Sequence, residues 1–143
     1  VGVQALMVRV PLGGRVDVSP GMARLALADS LAIAVFVALG ELRHAGTIAA
    51  GIETYIQFAL GWLIAAVVFG AYSTSALSGP KRSVITGVSS WVLAALIAQL
   101  IRVVTDPMAS FVPSFLAVSI VVGGGLIIVA RVLVTILESN GSS

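Results

Sequence analysis

Four long apolar segments occupy most of this 143-residue chain and constrain its fold more than any other feature. They cover Leu25–Leu39, Ile56–Tyr72, Val84–Ile101 and Phe111–Leu137, and almost every charged residue lies between them or at their ends. The hydrocarbon core of a bilayer is about 30 Å thick, and a helix needs about 20 residues to cross it. Because a spanning segment must satisfy its own backbone hydrogen bonds, these segments predict transmembrane helices.

The predicted fold is therefore all-α, a four-transmembrane-helix bundle built from two helical hairpins. The chain is 59% hydrophobic and 10% charged, whereas a soluble domain is typically about 25% charged. The predicted helices cover about residues 20–42, 53–72, 83–105 and 110–138. They form one membrane domain over residues 22–138, followed by a frayed C terminus at 139–143.

Residues 1–21 differ from the rest of the chain, since they contain Arg9, Arg15, two prolines and the Gly13–Gly14 pair. Two interpretations stay open. The segment is either a disordered N-terminal tail or an extension outside the native protein, which would then start at Met22.

The distribution of basic residues predicts the orientation, because short cytoplasmic loops carry an excess of Lys and Arg. Arg43 and Arg102 lie on one side. The other side carries Arg9, Arg15, Arg24, Lys81 and Arg82, with Arg131 near it. We therefore expect a multi-pass plasma-membrane protein with both termini in the cytoplasm.

Two charged residues, Asp29 and Arg131, fall inside the four apolar segments themselves. A lone charge at a helix centre costs roughly 2.5–3.5 kcal/mol on insertion scales, and such residues are candidates for function. In the predicted topology both lie at similar depth near the cytoplasmic side, so we predict that they form an ion pair. The alternative for Arg131 is that its long side chain reaches the interface.

A second group of polar residues gathers on the opposite side of the bundle. Arg102 and Asp106 lie one turn apart at the end of the third helix, and Glu41, Arg43, His44 and Glu53 lie on the same side. The cluster is either an ordinary solvated interface or a polar vestibule with protonatable groups, among which histidine titrates near neutral pH.

Small residues predict where helices approach each other, since they let backbones pack closely in lipid. Ala26, Ser30, Ala34 and Ala38 form a stripe on the first helix, and Ser90, Ala94 and Ala98 repeat it on the third. We expect packing inside one bundle, with a homodimer seam as the alternative. Gly123, Gly124 and Gly125 predict either a contact point for a neighbouring backbone or else a hinge or broken-helix binding site.

No motif for catalysis, phosphate binding or metal binding occurs in the sequence. The chain has no cysteine and one histidine, so thiolate and multi-histidine metal sites are excluded. The basic residues are spread out, which argues against nucleic-acid binding. We therefore expect no enzyme activity, no cofactor and no metal.

The order of several residues resembles a prokaryotic four-helix membrane family, domain of unknown function three-zero-five-four. The resemblance covers about Arg24 to Leu137. The matching elements are Asp29, Phe36–Val37, Gly40, His44, Gly46, Phe58, Gly61–Trp62, Gly87, Trp91, Arg102, Pro113–Phe115 and Arg131. It implies a membrane location and this architecture, and it supplies no activity.

Three functional classes stay open on these grounds. The leading interpretation is a non-enzymatic accessory or structural subunit, in contact with lipid and in a homo-oligomer or larger membrane complex. The alternative is a small oligomeric transporter or channel for ions or protons that uses Asp29, Arg102 and Arg131. A lipid-acting membrane enzyme is the second alternative.

Overall fold

The computed structural model describes residues 19–43, 46–108 and 110–141 of the chain. These residues form α1 (Pro20–Arg43), α2 (Ile48–Phe69), a 3-10 turn (Thr74–Leu77), α3 (Pro80–Thr105), α4 (Pro113–Val118), a π-helical turn (Ser119–Gly123) and α5 (Gly124–Gly141). Four helices are long and apolar enough to cross a membrane: Pro20–Leu42, Ile48–Phe69, Pro80–Thr105 and Pro113–Glu138. The described residues contain no strand. The prediction of an all-α bundle with four spanning helices is confirmed.

Local signals set the helix ends, and they place some ends away from the predicted positions. The Thr47 side chain accepts a hydrogen bond from the backbone N–H of Ala50 at 3.1 Å, so α2 begins at Ile48 rather than near residue 53. Gly70 ends α2 with a left-handed φ of 71°, a conformation that favours glycine. Pro80 opens α3, three residues before the predicted start, because proline suits the first helical turn.

The two ends of the chain lie partly outside the described residues. Of the predicted tail at residues 1–21, only Ser19–Gly21 is described; α1 starts at Pro20, and Ser19 directly precedes it. Residues 1–18 lie outside the described part. At the other end, α5 continues to Gly141, so part of the segment predicted to fray is helical.

The four spans form a ring in which α1 packs against α2 and α5, and α3 packs against the same two helices. Consecutive spans run antiparallel. The start of α1, the connection at residues 70–79 and the end of α5 lie at one end of the bundle, which we call the Arg131 face. The end of α1, the start of α2, the end of α3 and the start of α4 lie at the other end, the Arg102 face.

Small residues produce the close approach of α2 and α3. A Cβ atom added to Gly61 would lie 2.7 Å from the carbonyl oxygen of Ala94. Ser90, Ala94 and Ala98 are all buried on this side of α3. The predicted stripe of the third helix therefore packs inside the bundle.

The corresponding stripe of α1 does not pack inside the bundle, and that prediction is wrong. Ser30, Ala34 and Ala38 are exposed, and Ala26 is half-buried. The reason is that α1 turns a different face inward. This face carries Leu25, Asp29, Ile33 and Phe36, whose larger apolar surface and charge find partners in the core.

Candidate functional site

The Asp29 and Arg131 side chains form a two-pronged salt bridge between α1 and α5. Arg131 Nη2 lies 2.7 Å from Asp29 Oδ2, and Arg131 Nε lies 3.1 Å from Asp29 Oδ1. Both side chains have 0% exposure. The pair predicted from depth is in contact, and Arg131 does not reach the interface.

The third nitrogen of the guanidinium group, Nη1, also bonds to the protein. Arg131 Nη1 donates to the carbonyl oxygen of Ala71 at 3.0 Å and to that of Ser83 at 3.1 Å. Gly87 provides the space for this side chain, because a Cβ there would lie 2.4 Å from Arg131 Cδ. One arginine thus connects α1, α5, the start of α3 and the connection that follows α2.

Tyr72 and Trp62 extend this network. The Tyr72 hydroxyl donates to Asp29 Oδ2 at 2.7 Å, and Trp62 Nε1 donates to the Tyr72 hydroxyl at 2.7 Å. Burial and the nearby Asp29 carboxylate raise the pKa of Tyr72, so its hydroxyl keeps its proton at physiological pH. We call Asp29, Arg131, Ser83, Tyr72 and Trp62 the Arg131 cluster.

Tyr72 and Trp62 were not predicted from the sequence as members of this cluster. Tyr72 lies at the end of an apolar run, a position typical of an aromatic side chain at the membrane–water interface. Its side chain instead turns inward because Gly70 ends α2 and folds the connection back over the bundle. The hydroxyl of Tyr72 and the indole N–H of Trp62 were the features of the sequence that could have indicated the cluster, since such groups find partners when buried.

An aromatic layer lies between the Arg131 cluster and the other half of the bundle. Phe58 stacks on Trp91 with ring centroids 5.2 Å apart, and Phe36 meets both rings edge-on at 5.1 and 5.3 Å. The Trp91 ring centroid is 6.4 Å from that of Trp62. We call Phe36, Phe58 and Trp91 the aromatic layer.

The π-helical turn of the fourth span meets this layer. Trp91 Nε1 donates to the carbonyl oxygen of Ser119 at 2.8 Å. Gly123 lies directly under the indole, since a Cβ there would lie 2.2 Å from a ring carbon of Trp91. Gly123 and Gly124 are buried and Gly125 is exposed. Of the three glycines, Gly123 is the close contact point, and it meets the Trp91 side chain rather than the predicted neighbouring backbone.

A cavity of about 620 Å³ enters the bundle from the Arg102 face. Its apolar walls include Phe36, Phe58, Phe115 and Val118, and two of these belong to the aromatic layer. Its polar lining comprises Glu41, Glu53, Thr54, Gln57, Gln99, Arg102, Asp106 and Ser114. Asp29 and Arg131 do not line it, so the two halves of the bundle carry separate polar sites.

Gln99 lies in this cavity and was not identified by the sequence analysis. Its side chain is 2% exposed, and its Oε1 atom has no hydrogen-bond partner among the described residues. Arg102 follows one turn later on α3, with its Cζ atom 5.8 Å from the centroid of the Phe115 ring. The signal was an amide inside an otherwise apolar helix.

The predicted polar group at this face is only partly assembled. Glu41, Glu53, Arg102 and Asp106 all line the cavity, as a polar vestibule requires. Arg102 and Asp106 form no salt bridge, because α3 ends at Thr105, the backbone of Asp106 is extended, and the Asp106 side chain accepts the N–H of Met108 at 3.0 Å. The Arg43 side chain and His44 lie outside the described residues.

Comparison with known proteins assigns a family but no activity. No curated protein and no solved structure matches the chain. The sequence model of DUF3054, described as a protein of unknown function, matches residues 26–134, which include Asp29, Gln99, Arg102 and Arg131. The chain, whose described residues include four membrane-spanning helices, therefore belongs to the DUF3054 family.

Proposed function

We propose that this protein is a small solute transporter in a state open at the Arg102 face. The single observation that carries the proposal is the cavity of about 620 Å³, which has polar groups along its wall and ends on the aromatic layer inside the bundle. Cavities of roughly 300–1,000 Å³ suit small molecules. Polar residues inside a membrane bundle typically mark solute or ion pathways.

The Arg131 cluster supports this proposal because its bonds would keep the opposite face of the bundle closed. Its salt bridge and hydrogen bonds join α1, α3, α5 and the connection after α2 at a level beyond the aromatic layer. Such a network has two discrete arrangements, formed and separated, rather than a continuous range. Opening of the Arg131 face would require the Asp29–Arg131 pair to separate while solute is enclosed at the cavity.

The charge distribution supports an outward orientation of the cavity. Arg24, Lys81 and Arg82 lie at the Arg131 face, whereas Arg43 and Arg102 lie at the other. With the Arg131 face in the cytoplasm, the cavity takes up solute from outside the cell.

A flux measurement that assumes no particular solute tests the proposal. Purified protein in liposomes is exposed to a panel of inorganic ions, organic acids, amino acids, amines and sugars, and the contents are analysed by mass spectrometry. We expect at least one solute to enter faster than in empty liposomes. Arg102→Gln should reduce that flux by roughly tenfold or more, since hydrogen bonds to charged groups contribute about 1.5–3 kcal/mol.

Arg82→Gln is the matched control. It removes the same charge from an exposed position of α3 that does not line the cavity, and flux should be unchanged. If no panel member enters beyond the level of empty liposomes, the transporter proposal is wrong.

The accessory role is the second candidate, and the exposed stripe of α1 favours it. Ser30, Ala34 and Ala38 face outward, where small side chains let a partner helix approach closely. A photo-crosslinker at Ala34 should then give one defined adduct in native membranes, whereas one at the exposed Leu133 of α5 should not. Equal, diffuse crosslinking from both positions would count against this role.

A further inference from the structure

A groove runs along the outside of the bundle where α2 and α3 meet near the Arg102 face. It has a volume of about 370 Å³, and its apolar lining includes Ile52, Ile56 and Leu60 of α2 and Ile101 of α3. The three residues of α2 are exposed, so the groove opens toward the surrounding lipid. Its inner end is next to Gly61, where the two helices come into close contact.

The length and depth of this groove match one leaflet of a bilayer. Its α2 wall extends from Ala49 to Leu60, which is about 16 Å at the helical rise of 1.5 Å per residue. Half of the hydrocarbon core is about 15 Å thick. Because α2 begins at Ile48, the groove starts near the headgroup level and ends near the middle of the bilayer. It therefore has the dimensions and the position of a single acyl chain.

An unpaired carboxylate lies at the side of the groove. Glu53 is exposed and lines it, and none of the described basic side chains lies within 4.0 Å of its carboxylate. The residue is about 7.5 Å from the start of α2, which is close below the headgroup level. Charged residues in membrane spans usually have a partner. The described residues thus leave the headgroup end of the groove without a cation.

Glu53 also connects the groove to the cavity, since it lines both. A cation on Glu53 therefore comes either from a lipid in the groove or from a soluble amine in the cavity. The groove favours the lipid, because it supplies a path for an apolar chain directly beside the carboxylate. Gln57, one turn deeper on α2, lines both spaces as well.

The chemistry of lipid headgroups decides which lipid fits. A primary ammonium group has three N–H donors, and hydrogen bonds between ionised groups are the strong ones. A choline headgroup is positively charged but has no N–H to donate. A glycerol headgroup leaves the phosphate charge uncompensated, so Glu53 would repel it.

From these observations we propose that the groove binds one phospholipid with a primary-amine headgroup. Its ammonium group donates to the Glu53 carboxylate, and one acyl chain lies along Ile56, Leu60 and Ile101. This inference goes beyond the proposed function and does not depend on it, because it concerns a lipid bound on the outside of the bundle.

Native mass spectrometry of the purified full-length chain is the primary test. The delipidated protein is offered equal amounts of phosphatidylethanolamine, phosphatidylcholine and phosphatidylglycerol with identical acyl chains. We expect one bound lipid, with phosphatidylethanolamine preferred over phosphatidylglycerol at least about tenfold. Glycerophosphoethanolamine has the same headgroup without chains and should not displace the lipid at equal concentration. Equal retention of the three lipids, or displacement by the chainless headgroup, would overturn the proposal.

Two pairs of variants assign the contacts. Glu53→Gln should abolish the headgroup preference, whereas Glu41→Gln should keep it, because Glu41 lines the cavity but not the groove. Ile56→Trp should fill the groove and remove the bound lipid, whereas Leu133→Trp on the exposed side of α5 should not. Loss of the preference in both glutamate variants would mean a general charge effect and contradict the site. If Glu53→Gln does not elute as a single species, the lipid series and the Ile56→Trp pair decide.

A second copy of the chain is the competing occupant of the groove. A dimer that carries no lipid and that Ile56→Trp dissociates would overturn the lipid assignment. The outcomes also separate this inference from transport. Lipid preference without flux of any solute would contradict transport and leave the lipid site standing, whereas flux without lipid preference would support transport and remove the lipid site.

Discussion

At the scale of single residues, Arg131 is a buried cation whose guanidinium bonds to three other parts of the protein. Its guanidinium donates to Asp29, to Ala71 and to Ser83, and it has 0% exposure. A salt bridge in a poor solvent is stabilising only while both partners are present. If one partner is substituted, the remaining charge is buried and unpaired.

We therefore expect Asp29→Asn and Arg131→Gln each to lower the free energy of unfolding by roughly 3–5 kcal/mol. The double variant should lose less than the sum of the two single variants. Reversible denaturation in mixed micelles measures this coupling. The Arg24–Glu138 pair is the matched control, since it also joins α1 and α5 but has side-chain exposures of 64% and 25%. Its coupling should be about 0–1 kcal/mol. If the losses from Asp29→Asn and Arg131→Gln were strictly additive in the double variant, the two side chains would not be energetically coupled and this prediction would be wrong.

Tyr72 offers a finer test at the same scale. Tyr72→Phe removes one hydroxyl that both accepts from Trp62 and donates to Asp29. We expect a loss of about 1–3 kcal/mol, because the buried indole N–H is left without its acceptor. A shift in tryptophan emission should accompany the loss. Unchanged stability and emission would show that the two bonds contribute nothing to the fold.

At the scale of helices, the fourth span is shaped by the contact between Trp91 and the π-helical turn. Gly123→Ala would place a methyl group 2.2 Å from the indole, and Trp91 would have to leave the carbonyl oxygen of Ser119. We expect a destabilisation of about 1–3 kcal/mol, as in other overpacked cores.

Gly125→Ala is the control two residues away, because nothing lies within 4 Å of its added Cβ. It should be neutral or stabilising by up to about 1 kcal/mol, the difference in helix propensity between alanine and glycine. Thermal unfolding in one detergent compares the two variants. Equal effects would mean that helix propensity, and not the Trp91 contact, determines the role of this glycine segment.

Some properties of the helices can be predicted from the sequence, and others cannot. The number and type of spanning helices follow from hydropathy, because the bilayer imposes length and composition. Helix rotation does not follow from small residues alone. Ser90 and Ala94 of α3 face inward, whereas the equally regular Ser30 and Ala34 of α1 face outward. On α1, the need to bury Asp29 and Phe36 decides the rotation instead.

The residues of the two polar sites also differ in whether they could be predicted from the sequence. Contact between Asp29 and Arg131 was predictable because an unpaired buried charge is costly, so the sequence must contain its partner. The roles of Tyr72 and Gln99 were not predictable. That of Tyr72 depends on how the connection after α2 folds, and that of Gln99 depends on where the cavity lies. Neither property leaves a periodic signal in the sequence.

At the scale of the whole molecule, the two polar sites lie at opposite ends of the bundle, and their orientation in the membrane decides which end meets the cell exterior. We propose that the Arg131 face is cytoplasmic, because Lys81 and Arg82 lie there in the first turn of α3. The cavity would then open outward, in the direction required for uptake.

The lack of cysteine in the chain makes this orientation directly measurable. Ser78 and Ser110 are exposed residues in connections at the Arg131 and Arg102 faces, respectively. Single cysteines at these positions, treated with a membrane-impermeant maleimide in intact cells, should be labelled at Ser110→Cys only. Permeabilised cells should label both, which controls for reactivity. Labelling of Ser78→Cys but not of Ser110→Cys in intact cells would show that the protein has the opposite orientation. The cavity would then face the cytoplasm, and its solute would be captured for export rather than for uptake.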